Sequence, residues 1–127
     1  PEYSKLNSLI DKHGLGDFIS ITPSVSKEGL IEYYQKASLL IVSSRREGGS
    51  RVALEALYLH IPVISTNVGH MSQILPQELL AEPDNLESLK SLIDNWIDRS
   101  MSQESIFEYV AQEYSIDKAS KKSIKCL

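Results

Sequence analysis

Two glutamates, Glu47 and Glu55, stand eight residues apart in the stretch EGGSRVALE, with Gly48, Gly49, Ser50, Arg51 and Val52 following the first. The two glycines have no side chains to keep a ligand away from the backbone. The residues after them have helix-forming character, and a helix N-terminus offers N–H groups and a positive dipole end to an anion such as a phosphate. A carboxylate beside a phosphate repels it, so the useful partners of Glu47 and Glu55 are hydroxyl groups. Phosphate on the helix end, with carboxylates on sugar or ribose hydroxyls, is the physical sketch of a nucleotide-sugar site.

The surrounding elements must bring these groups to one place. The apolar run 39–42 (LLIV) is short and β-branched enough for a buried strand. A polar loop, 43–50, follows it. Val52, Ala53, Leu54, Ala56, Leu57 and Leu59 then supply a helix that is apolar over most of its circumference, and 62–65 (PVIS) closes the unit as a second buried strand. Strand, glycine loop, helix, strand is a βαβ crossover, which implies parallel strands and a right-handed connection. In an open parallel sheet, ligands bind beyond the carboxyl ends of the strands, where the loop 43–50 lies.

The run from Glu47 to Ala56 also resembles the E-x7-E signature of the retaining GT-B glycosyltransferases, the large group 1 family that includes glycogen, sucrose and lipopolysaccharide synthases. A strand ending in Ser43-Ser44-Arg45, the Glu55-Ala56 pair, Pro62-Val63-Ile64 and Val68-Gly69 resemble the family in order and spacing across residues 18–83. The resemblance implies an α/β fold: a Rossmann-like parallel β-sheet flanked by helices, part of the C-terminal domain of a GT-B enzyme. It implies that residues 1–127 are a single partial nucleotide-sugar-binding domain, truncated at its N-terminal side, with the N-terminal acceptor domain absent from this chain. The family's basic pair that helps hold the diphosphate lies upstream of these residues.

Composition bounds the class. One core's worth of chain, 42% hydrophobic and 24% charged, is ordinary for a soluble globular domain. Thirteen Lys and Arg against 17 Asp and Glu give a formal net charge of −4, which argues against a nucleic-acid surface. The single cysteine, Cys126, has no internal disulfide partner and fits a reducing compartment. The chain holds no apolar run of membrane-spanning length and opens on polar, amphipathic residues, unlike a signal peptide. A cytoplasmic location is expected.

Along the chain, Tyr3, Leu6, Leu9 and Ile10 recur at helical spacing, with Gly14 where a C-terminal glycine belongs. Residues 18–21 are expected as a strand, and 28–37 as a helix with Leu30, Ile31, Tyr34 and Ala37 as its inner stripe. Thr22-Pro23 departs from the glycine that the family often has near the nucleotide base, and a plain connecting loop is the favoured reading there. His70 stands where the family usually has a second glycine, and Gln73 where it has a glutamate. His70 is read more readily as a surface residue than as a contact to diphosphate or sugar. His60, in place of a helix-ending glycine, is read as a helix-terminus residue that tolerates the left-handed region. None of the three histidines has metal-ligand spacing to another, so no metal site is assigned.

Residues 79–81 read as the last strand. Asp84 with Glu87 reads as a capping box, followed by a helix with the stripe Leu86, Leu89, Leu92, Ile93, Trp96 and Ile97. Trp96 lies on that stripe and is read as core rather than a sugar-stacking platform. A further amphipathic segment, 103–114, and a lysine-bearing end, 117–125, complete the chain. The lysines are read as a solvated helix face; peripheral contact with an acidic membrane surface at its inner face is the minority alternative.

By resemblance, Glu47 is the catalytic residue, hydrogen-bonding hydroxyls of the donor sugar and orienting it. Glu55 would hold the ribose hydroxyls, and Gly48, Gly49, Ser50, Arg51 and Val52 would present backbone N–H groups to sugar and diphosphate. Arg45 and Arg46 are either further phosphate contacts or surface charge. The reaction implied is transfer of a sugar from a nucleoside-diphosphate sugar to a hydroxyl acceptor, a glycan or lipid-linked saccharide as in polysaccharide biosynthesis. The anomeric configuration would be retained, with no cofactor and no required metal. Expected partners are the donor, the acceptor and the missing N-terminal domain. The isolated chain is expected to be inactive. A competing reading is a non-catalytic α/β interaction module, or a fragment that keeps only the fold. A flavodoxin-like receiver needs aspartates at strand ends, where this chain has Ser43-Ser44, Ser65-Thr66 and Ala81-Glu82.

Overall fold

The structure, a computed structural model, describes residues 2–46, 48 and 50–98. Glu47 and Gly49 lie outside the described residues, as do the expected segments 103–114 and 117–125 and Cys126. The described residues fall into two compact units that divide between Gln35 and Lys36.

The first unit opens on helix α1, Glu2–Lys12. Its end follows from Gly14, whose φ of 63° is the left-handed conformation that costs glycine nothing. Two backbone bonds close the turn, from Leu15 N to Ile10 O at 2.9 Å and from Gly14 N to Asp11 O at 3.1 Å. They are the paired bonds of a Schellman motif. The expected strand at 18–21 does not form. The Leu15 carbonyl accepts from both Phe18 N (3.0 Å) and Ile19 N (2.9 Å), so this stretch closes on itself as a turn, and Phe18 is 84% exposed. Helix α2, Lys27–Lys36, starts on Ser26, whose Oγ accepts from Gly29 N at 3.1 Å. Tyr34 is buried and Leu30 half-buried, but Ile31 is exposed and Ala37 lies past the helix end, so the inner stripe is narrower than its spacing predicts. The Thr22 and Tyr33 hydroxyls hydrogen-bond at 2.9 Å, tying the loop to the helix.

The second unit is built on a three-stranded parallel sheet in the order β1-β2-β3. Strand β1 is Leu40–Val42, β2 is Val63–Thr66 and β3 is Leu80–Ala81. The register sets Leu40 against Val63, Ile41 against Ile64, Ser65 against Leu80 and Thr66 against Ala81. All four residues of the central strand β2 are buried, as a parallel strand covered on both faces requires. Helix α3, Arg51–Tyr58, connects β1 to β2 and packs on both strands through Ala53, Ala56 and Leu57. Its expected apolar character over most of the circumference is real in sequence, yet Val52, Leu54 and Leu59 are exposed.

The α3 helix ends on His60 at φ 59°, with Ile61 N on Ala56 O at 2.8 Å and His60 N on Leu57 O at 3.1 Å. His60 therefore occupies the left-handed position that its place in the sequence predicts. A short helix α4, Met71–Ile74, and a 3₁₀ turn, Gln77–Leu79, lead to β3. Helix α5, Leu86–Ile97, packs on β2 and β3. Leu89, Leu92, Ile93 and Trp96 form its half-buried stripe, whereas Leu86 and Ile97 are exposed. The cap is Asn85, not Asp84: Asn85 Oδ1 accepts from Ser88 N at 3.0 Å, while Asp84 takes φ 56°, outside helix geometry.

Candidate functional site

In this parallel sheet the loops after β1, β2 and β3 all leave the same edge, at the carboxyl ends of the strands. The β1–α3 loop ends at Ser50, whose backbone is extended (φ −87°, ψ 102°) and whose side chain is 5% exposed. Ser50 Oγ accepts from Ala53 N at 3.2 Å, and the Ser50 carbonyl receives Leu54 N, also at 3.2 Å. Extended backbone with a short hydroxyl on the third helical amide is what makes serine a strong N-cap. The cap directs the open end of α3 into the loop that carries the glycines.

The expected residues fall into three sets. Ser50, Arg51 and Val52 form the N-terminal end of α3, with Arg51 and Val52 on its exposed side. Gly48 is exposed, and a Cβ built there meets nothing within 4 Å, so the space over its backbone is open. Glu55 projects from the second turn of α3 as an exposed carboxylate. Glu47 and Gly49 have no described position. The structure thus brings Gly48, Ser50, Arg51, Val52 and Glu55 onto one loop and helix start.

Side chains beyond the expected set tie the loops of this edge together. Thr66, the last residue of β2, donates from Oγ1 to Ser44 O at 2.5 Å, fixing the start of the β1–α3 loop against the neighbouring strand. Asn67 N donates to Ala81 O at 2.8 Å, extending the β2–β3 ladder. His70 Nδ1 is hydrogen-bonded to Gly48 O, joining the loop after β2 to the glycine loop. Arg45 Nε pairs with Asp84 Oδ1 at 2.8 Å, with both side chains largely exposed, bridging the loops after β1 and β3. Hydrogen-bonding residues at strand ends are the signal in sequence for Thr66; their partners lie 22 positions away and no local pattern reveals them. Among the described residues, no group of three or more His, Cys, Asp or Glu side chains is placed to hold a metal ion, and no helix is long and apolar enough to cross a membrane.

The fold and edge belong to the open parallel α/β class, whose ligands sit beyond the carboxyl ends of the strands. Residues 1–113 match the family model described as glycosyl transferases group 1, and the chain belongs to that family. It is 34% identical over 94 residues to an uncharacterized glycosyltransferase of Methanocaldococcus jannaschii, covering 72% of this chain and 26% of that protein. Over 120 residues it is 28% identical to the gpi3 subunit of phosphatidylinositol N-acetylglucosaminyltransferase from Schizosaccharomyces pombe, covering 91% of this chain and 26% of the relative. Among solved structures it resembles sucrose-phosphate synthase from Thermosynechococcus elongatus, with a TM-score of 0.67 and 23% identity, over 99% of this chain and 35% of that one. That likeness bears out the expected fold, a parallel sheet flanked by helices of the GT-B class. The chain spans about a quarter of the length of these curated relatives.

Proposed function

We propose that this chain is the donor-binding part of a retaining glycosyltransferase that moves a sugar from a nucleoside-diphosphate sugar to a hydroxyl acceptor. The observation that carries the reading is the Ser50-capped start of α3, entered from a glycine loop at the carboxyl edge of the sheet, with Glu55 exposed one turn on. The diphosphate would lie against the N–H groups at the head of α3, where the dipole favours negative charge. That charge grows as the bond between sugar and phosphate breaks, so the same groups would assist departure, with no metal required. Glu55 would accept hydrogen bonds from the ribose hydroxyls. Glu47 would do the same for the donor sugar and orient its anomeric carbon.

In this reading residues 1–127 are one partial C-terminal donor domain, and the acceptor is bound by sequence outside this chain. The relative from Schizosaccharomyces pombe is named for transfer of N-acetylglucosamine to phosphatidylinositol. A glycan or lipid-linked acceptor handled in the cytoplasm, at the membrane's inner face, is the matching proposal here. Calorimetric titration with UDP-glucose, UDP-N-acetylglucosamine, GDP-mannose and ADP-glucose tests the donor site, on this chain and on one extended to the length of its relatives. Saturable binding of one nucleotide sugar is expected. Silence from both proteins across the panel would overturn the proposal.

A further inference from the structure

We infer that His70 is a positioning residue that locks the glycine loop at the head of α3. The family resemblance usually places a glycine where this chain has His70, and a glycine has no side chain to make this bond. The Gly48 carbonyl can only accept, so Nδ1 of His70 must carry the hydrogen. In a neutral ring that fixes Nε2 as the unprotonated nitrogen. The bond also restrains the carbonyl of a residue that has no side chain of its own. Gly48 sits in open space, and glycine loses more backbone freedom on ordering than any other residue. The loop is already anchored at its start by Thr66 on Ser44 O and at its end by the Ser50 cap. His70 supplies a further anchor at Gly48, beside the Arg45–Asp84 ion pair, and it comes from the next loop of the same sheet edge.

What the loop is held for rests on the donor-site reading, namely presentation of the loop backbone to a diphosphate. Holding it before the ligand arrives removes an ordering cost from binding. His70 therefore acts through Gly48, and its loss weakens donor binding without removing any group that the proposed site uses.

Two readouts separate this inference from the donor-site reading. The first needs no ligand: long-range ¹H–¹⁵N correlation on the ¹⁵N-labelled chain reports the His70 tautomer, and hydrogen exchange reports the amides of residues 48–53. The protonated nitrogen is expected at Nδ1, and His70→Ala is expected to speed exchange of those amides about 3- to 10-fold, the worth of one hydrogen bond. His70→Asn places an amide nitrogen the same number of bonds from Cα as Nδ1 and should restore the slower exchange. His70→Gln, which reaches the Nε2 position, should not. The second readout is affinity for whichever of UDP-glucose, UDP-N-acetylglucosamine, GDP-mannose or ADP-glucose the wild type binds. It should fall about 3- to 10-fold in His70→Ala and recover in His70→Asn. An Nε2–H tautomer in the free protein, or recovery with Gln and not Asn, overturns the positioning role. Failure of the wild type to bind any donor tells against the donor site, and the tautomer and exchange results then decide the role of His70 by themselves.

Discussion

Ser50 is the residue on which structure and proposed chemistry meet. Its hydroxyl is buried and spent on the Ala53 amide, so its contribution is to stability and aim rather than to a ligand. Ser50→Ala is expected to cost about 1 kcal/mol in urea unfolding, the usual loss at an N-cap. Glu55 is exposed rather than buried. It lies on the exposed side of α3, and Glu55→Ala should change stability by no more than about 0.5 kcal/mol. The same substitution should weaken nucleotide-sugar binding about 10-fold or more, because hydrogen bonds to a charged group are the stronger kind. A calorimetric titration beside an unfolding curve separates the two effects.

At the scale of elements, the carboxyl edge of the sheet is held by bonds between loops. Thr66→Val keeps the shape of the side chain and deletes the bond to Ser44 O; a loss of about 1 kcal/mol in denaturant unfolding is expected. Gly14→Ala tests a different device. The added Cβ meets no atom within 4 Å, so its cost is that of forcing alanine to φ 63°, about 1 kcal/mol. The elements most legible in the sequence are those whose pattern is local. The strands at 39–42 and 62–65, the helix between them and the left-handed His60 each follow from apolar runs and end signals. The strand expected at 18–21 fails because an apolar run is indifferent between a ladder and a turn, and here the Leu15 carbonyl captures the Phe18 and Ile19 amides. The cap of α5 shifts to Asn85 for a similar reason. Asp84 and Asn85 are equally good caps in sequence, and Asp84 has taken a left-handed turn with its carboxylate on Arg45.

For the whole molecule, the βαβ unit is the stable frame. Ile64, fully buried at the centre of β2, is flanked by β1 and β3 on its own sheet. Ile64→Ala should remove about 2–5 kcal/mol, a large part of the stability of a domain this size, and be visible as a marked fall in the urea midpoint. The family was legible in the sequence because the run 47–55, which resembles its signature, compresses a loop, a helix start and a carboxylate into nine consecutive residues. The bonds from Thr66, His70 and Asp84 were not, because each joins residues distant in sequence that only the folded sheet brings together.

In the proposed site Glu55 would hold ribose hydroxyls while the head of α3 takes the diphosphate. The most direct test is a double-mutant cycle by calorimetry: wild type and Glu55→Ala, each titrated with the nucleoside diphosphate selected by the donor panel and with its 2′,3′-dideoxy analogue. Removing the hydroxyls is expected to weaken binding to the wild type about 10-fold and to leave binding to Glu55→Ala nearly unchanged. Equal losses in both proteins would contradict it, since Glu55 would then not be the group that reads the ribose.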